Sequence, residues 1–285
     1  MTGKTELNDW IGRQEQHSDV LRAQPARFLQ ATLGQAPTLT EGSTLPPLWH
    51  WLYFLDAQPA GALGRDGHPE KGGFLPPVDL PRRMWAGGRL SFLKPLRLGL
   101  NATKLSTIQS ITQKQGRSGP LCFVTVRHEI FQHGECALRE EHDIVYRQDP
   151  TGADRPQVSM APPKAPQHSE HIHPTEVLLF RYSALTFNGH RIHYDIDYAR
   201  QVEGYDGLVV HGPLTATLLA MMAQRCQPTA MTAFEFRGLA PLTGMAPFTL
   251  EGHSDGDDHT LWARRADGQV AMTAKARFAA TPVRI

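Results

Sequence analysis

Residues 180–219 read FRYSALTFNGHRIHYDIDYARQVEGYDGLVVHGPLTATLL, and the interpretation of the whole chain turns on them. The apolar, aromatic run Leu178–Tyr182 reads as a short strand, and Phe187-Asn188-Gly189 breaks any regular element after it. A polar turn holding Asn188, His190 and His193 follows. Neutral imidazole moves protons well near pH 7, which makes His193 the candidate general base or acid. Asp195 and Asp197 stand where a short helix begins, and either can cap its free backbone N–H groups. Beyond Gly207, Leu208-Val209-Val210 reads as buried. His211-Gly212-Pro213 then opens a helix whose Leu214, Leu218, Met221 and Met222 share one face. A helix that opens on glycine offers bare N–H groups and a positive dipole end, which suit a carbonyl oxygen gaining negative charge.

Phe187 to Ala199, followed by Val210-His211-Gly212-Pro213-Leu214-Thr215, resembles the MaoC or R-specific enoyl-CoA hydratase motif of hot-dog proteins. In that family an Asp-x-Asn-Pro-x-His turn precedes a central helix whose first glycine binds the thioester carbonyl. The resemblance places His193 on the catalytic histidine and Gly212 on the oxyanion glycine. It departs at the acid, because Asn188 stands in the aspartate's place and His190-Arg191 replaces Asn-Pro. The form Phe-Asn-x-His-Arg-Ile-His-Tyr-Asp is similar to a subgroup comprising itaconyl-CoA and mesaconyl-CoA hydratases and mitochondrial 3-hydroxyacyl-thioester dehydratases. Arg82-Arg83-Met84-Trp85-Ala86-Gly87-Gly88 extends that likeness into the first half of the chain.

The resemblance implies an α+β double hot dog, two halves each with a central helix wrapped by an antiparallel sheet. It also implies reversible addition of water to a short, dicarboxylic enoyl-CoA such as itaconyl-CoA or mesaconyl-CoA. His193, Asn188 and Gly212 would be catalytic, while Arg82, Arg83, Trp85 and His211 would meet the substrate. Asn188 cannot take a proton at pH 7. The second proton-transfer group is therefore open among His193 itself, His190, Asp195 and a carboxylate from the N-terminal half. A 3-hydroxyacyl-thioester dehydratase of fatty acid metabolism, a thioesterase and a non-catalytic acyl-CoA-binding protein are the competing readings.

The chain has 285 residues, a 40% hydrophobic fraction and a formal net charge of +1, enough to bury a large core and no electrostatic case for nucleic acid. Cys122, Cys136 and Cys226 are too few and too scattered for a disulfide framework or a zinc site. The polar start, MTGKTELNDWIGRQEQ, and the lack of any long apolar run suggest a cytoplasmic protein without a membrane span. No metal is expected, and no nicotinamide, flavin or nucleotide, since there is no glycine-rich phosphate loop. The expected partner is the acyl-CoA substrate, with a homodimer of the double hot dog as a further possibility.

Residues 1–150 form the expected N-terminal half, 151–174 a proline-rich linker, and 175–285 the half that carries the catalytic turn. Asn8 or Asp9 can cap a first helix with Trp10 and Ile11, and a second runs from about Pro25 to Leu33. Residues 48–57 read as the N-terminal counterpart of the central helix, and Gln58–Arg89 as a long loop of the kind that is usually functional or disordered. Its end, Arg82-Arg83, suits a phosphate or carboxylate. Strands are expected from Leu90, over Leu121–Phe131 and Ala137–Arg147 around a turn at Gly134, and in four runs from Met231 to Phe278. Glu140, Glu141 and Asp143 read as a solvated face.

Overall fold

The alternation of Leu121–Phe131 belongs to a long antiparallel meander in the computed structural model, which describes residues 7–116, 119–149 and 160–280. Three of its strands are β3 (Asn101–Gly116), β4 (Gly119–Gln132) and β5 (Glu135–Arg147). His133 and Gly134, both with positive φ, make the tight β4–β5 turn. To one side lies β1 (Gln14–Val20) on β3, and to the other β2 (Arg82–Phe92) on β5. The second half repeats this plan with β6 (His168–Ile172), β7 (Met231–Gly238), β8 (Phe248–Asp255), β9 (Asp258–Arg265) and β10 (Val270–Phe278). The sheet order is β1-β3-β4-β5-β2-β7-β10-β9-β8-β6. Each half thus has the same internal order, and Gly87–Ser91 of β2 joins Ala233–Arg237 of β7 in one ten-stranded sheet.

Among the described residues four α-helices complete the fold: α1 (Ala23–Thr32), α2 (Glu176–Leu185), α3 (Ile196–Gln201) and α4 (Gly212–Cys226). Helix α4 is the central helix of the second half. It buries nearly every face, from Leu214 to Ala223, and packs on β7, β8, β9 and β10. Its apolar core continues without a break into the first half through Phe234, Leu90 and Trp49.

Several expectations need correction. The strand expected at Leu178–Tyr182 is helix α2. The Thr175 hydroxyl caps it by accepting from the Leu178 N–H at 3.1 Å, and Leu179, Tyr182 and Ser183 form its buried stripe. The helix expected over 48–57 is a single 3-10 turn, Trp49–Leu52, entered from Leu48 and followed by Phe54, both with left-handed backbones. The strand expected from Leu90 begins at Arg82. A bulge between Trp85 and Gly87 and the Gly87-Gly88 pair hide it in the sequence. Those glycines serve the junction of the halves: a Cβ on Gly87 would lie 2.5 Å from the Phe236 carbonyl oxygen of β7. Part of the expected linker, His168–Ile172, is strand β6 on β8, while residues 151–159 lie outside the described residues. Glu140 is not solvated. It is 2% exposed and accepts hydrogen bonds from His50 and Trp51, whereas Glu141 and Asp143 pair with Arg89 on the open face.

Candidate active site

The turn after α2 follows from its sequence. Phe187 takes a left-handed backbone, and the Asn188 carboxamide oxygen accepts the His190 N–H at 3.0 Å, forming an Asx turn. Asn188 is thus engaged in shaping the turn. A single 3-10 turn over Arg191–His193 then carries His193 into the interior, where it is 6% exposed.

His193 is held in one tautomer. Its Nδ1 lies 2.7 Å from the Val209 carbonyl oxygen, which accepts only if the proton sits on Nδ1, leaving Nε2 as a base. Its ring stacks on His211, with centroids 3.6 Å apart and planes 18° from parallel. Burial pushes the His193 pKa down to about 4, with the bond to Val209 working against it. The ring is therefore neutral at physiological pH.

His211 lies beneath His193, fully buried, with Nε2 2.8 Å from the Ser183 hydroxyl and its pKa driven well down by burial. It buttresses the neighbouring ring and has no surface on which to meet a substrate. Gly212 follows at the first turn of α4, whose leading N–H groups have no intrahelical acceptor. A Cβ built on Gly212 would meet nothing within 4 Å, so there is open space beside its backbone.

The remaining candidates separate. Asp195 caps α3 by accepting from the Tyr198 N–H at 2.9 Å and pairs with Arg191 at 2.7 Å, so both of its carboxylate oxygens are already engaged. His190 is buried, with its ring centroid 5.4 Å from that of His193. Arg82 and Arg83 point to opposite faces of β2. Arg82 is buried, its Nε 2.5 Å from a Glu203 carboxylate oxygen and its Nη2 donating to the Tyr205 hydroxyl at 2.8 Å. Its charge is already answered inside the protein. The Arg83 guanidinium bears on His68, His190 and Tyr146, and among the described residues it forms no ion pair with a carboxylate. Trp85 packs on His142, centroids 3.9 Å apart, and edge-on to Trp51.

One group was not foreseen as part of the site. Asp66 and His68, from the loop before β2, lie against His190, and the His68 and His190 ring centroids are 4.3 Å apart. Asp66, His68 and His190 each offer one ligand atom, all within 4.8 Å of one another, and are the cluster among the described residues that could hold a metal ion. The run Asp66-Gly67-His68-Pro69 inside the long loop was the available signal. What it lacked was any indication of where the loop folds back.

Residues 48–244 match the hydroxyacyl-thioester dehydratase type 2 family. The chain is 48% identical over 268 residues to a mesaconyl-C(4)-CoA hydratase of Chloroflexus aurantiacus, covering 93% of this chain and 95% of that protein. Among solved structures, a MaoC-like dehydratase from Phytophthora capsici superposes with a TM-score of 0.71 at 12% identity, over 97% of this chain and all of the other. A Mycobacterium tuberculosis protein described as having a double hotdog fold gives a TM-score of 0.57 at 14% identity, over 98% and 99% of the two chains. The fold is thus the double hot dog expected from the sequence.

Proposed function

Because the chain belongs to the hydroxyacyl-thioester dehydratase type 2 family of hydro-lyases, we propose that it adds water reversibly across the double bond of a short dicarboxylic enoyl-CoA, mesaconyl-CoA foremost. The observation that carries this reading is the pairing of a neutral, tautomer-locked His193 with the open backbone at Gly212. The Gly212 N–H polarises the thioester carbonyl. As the enolate forms, a positioned donor of this kind stabilises the developing charge by about 3–4 kcal/mol in a water-poor site. His193 Nε2 accepts a hydrogen bond from the attacking water and activates it. The water's oxygen bonds to C3, and its proton returns to C2 through an acid–base group at the site.

Support for a dicarboxylic substrate comes from Arg83, a cation beside the histidines with no carboxylate of its own among the described residues. A free carboxylate on the acyl chain would supply it. The relative from Chloroflexus aurantiacus bears the name of such a hydratase.

The test follows absorbance of the conjugated thioester with mesaconyl-CoA, itaconyl-CoA and crotonyl-CoA, together with free thiol. Loss of conjugation without thiol, fastest on the dicarboxylates, is the expected result. Speed on crotonyl-CoA alone would favour a 3-hydroxyacyl-thioester dehydratase, and thiol release would mean a thioesterase. His193→Ala should lower turnover at least about a hundredfold, the low end of what a positioned acid–base group contributes. A fully active His193→Ala enzyme would remove the mechanism.

A further inference from the structure

The loop before β2 is built against the catalytic turn. The Arg191 N–H donates to the Asp66 carbonyl at 2.9 Å, and the Arg191 guanidinium to the Arg65 carbonyl at 3.2 Å. Gly67 and Gly189 meet backbone to backbone. A Cβ on Gly67, whose φ is +85°, would lie 2.0 Å from the Gly189 carbonyl oxygen, and one on Gly189 would lie 2.7 Å from that of Gly67. Only a pair of glycines permits this approach. Its result is the placement of two side chains. Asp66 Oδ1 accepts the His68 backbone N–H at 3.0 Å, and Oδ2 accepts from His68 Nδ1 at 2.9 Å. That bond fixes the proton on Nδ1 and leaves Nε2 as an acceptor, in the arrangement by which a carboxylate orients a working imidazole.

We propose that His68, oriented by Asp66, is a further catalytic residue, the acid–base group that replaces the carboxylate absent at position 188. The proposal rests on the hydratase reading. Its physical basis is where positive charge can form. His193 is bonded to a neutral carbonyl and stacked on a buried imidazole, so an imidazolium there has no bonded anion. On His68 the same charge meets the Asp66 carboxylate. The water's O–H bond breaks with its proton going to His68 Nε2 while its oxygen bonds to C3. The π pair moves toward C2 and the thioester oxygen, and the His68 imidazolium returns the proton to C2. His193 stays neutral and holds the water.

The groups facing His68 are Asp66 from its own loop, Arg83 from β2, and His190 and His193 from the catalytic turn; Lys71 and Tyr198 bear on Asp66. Burial lowers the His68 pKa and Arg83 adds to that, while Asp66 opposes both. Burial works against the charge on Asp66, but its bonds to His68 outweigh this and hold its carboxyl below the usual range.

The test measures kcat and KM of wild type, His68→Gln, Asp66→Asn and His193→Ala on mesaconyl-CoA across pH. His68→Gln should lose about a hundredfold in kcat with KM within about threefold. In Asp66→Asn the acid limb of kcat/KM should move down by about one pH unit or more, because the charge that favours the imidazolium is gone. This second variant decides the matter if His68→Gln does not fold. A His68→Gln enzyme within about twofold of wild type beside an inactive His193→Ala would overturn the assignment and leave the hydratase reading standing. An acid limb that does not move in Asp66→Asn would also overturn it. So would activity lost to a chelator and restored by a divalent cation, which would make Asp66, His68 and His190 metal ligands. Wild-type silence on every enoyl thioester would instead remove the hydratase reading beneath it.

Discussion

Gly212 is not required by the fold. Its backbone is not left-handed, and an added methyl would meet nothing within 4 Å. In the proposed mechanism such a methyl would occupy the space a carbonyl oxygen needs beside the N–H. Gly212→Ala should therefore unfold at the wild-type temperature yet lose about 10²–10³ in kcat/KM, the usual worth of one oxyanion donor. Thermal unfolding and initial rates on one preparation check this, and an active enzyme would remove the oxyanion role. Arg83 is separated from Arg82 by the same kind of reasoning. Arg83→Leu should raise KM for mesaconyl-CoA by roughly 10–100-fold, the cost of one hydrogen bond to a charged group, and leave crotonyl-CoA nearly unchanged. An equal loss on both substrates would put Arg83 in the fold or on the CoA moiety. His193 and Gly212 could be proposed from sequence because their residue types and spacing are local. The choice between two adjacent arginines could not be, since it depends on which face of β2 is packed against Glu203.

Elements were legible where their pattern was regular and hidden where glycine or aromatics blurred it. Helix α2 shows an apolar, aromatic stretch suited to either period, and only the Thr175 cap and the Leu179, Tyr182, Ser183 spacing distinguish a helix. Strand β2 is disguised by Gly87-Gly88, which exist because β7 comes too close for side chains there. The loop holding Asp66 and His68 has no period at all; its position is set by contacts with Gly189 and Arg191, remote in sequence. This makes the loop testable as an element. Gly67→Ala adds a methyl where a backbone oxygen stands 2.0 Å away and forces a side chain into a left-handed backbone. The loop should lift from the catalytic turn, so that kcat falls at least about tenfold although no catalytic side chain is changed. Hydrogen exchange at Arg191, whose N–H bonds to Asp66, should rise in parallel. Unchanged rate and exchange would show that the docking has no bearing on the reaction.

At the scale of the molecule, the repeated strand order makes two equivalent halves, yet among the described residues only one carries a long central helix. In the first half α1 and the Trp49–Leu52 turn lie between β1 and β2 in the chain, and the long loop after them reaches across to the turn that carries His193. The repeated strand order comes without a visible sequence repeat, because a sheet needs only alternation and the halves share strand order rather than residues. The first half keeps a buried polar cluster instead. Glu140 accepts from His50 and Trp51, and His128 and His142 lie near it, with Lys104 also bearing on it. Burial depresses His128 to about 3 and His142 to about 4, against the opposing pull of Glu140, and His193 falls to about 4 in the second half. Unfolded histidines bind protons near pH 6.5, so below that value the unfolded chain gains protons that the native state refuses. Stability is therefore present above pH 6.5 and lost as pH falls toward 4, by at most about 1.4 kcal/mol per pH unit for each histidine. The Glu140 carboxyl, held at about 2, adds its own loss only below its ordinary value of 4.5. The thermal midpoint should therefore decline from pH 7 to pH 5 where the paired carboxylates are still ionised, and His142→Gln should flatten that decline. A midpoint constant over this range would mean that these imidazoles are protonated in the native protein.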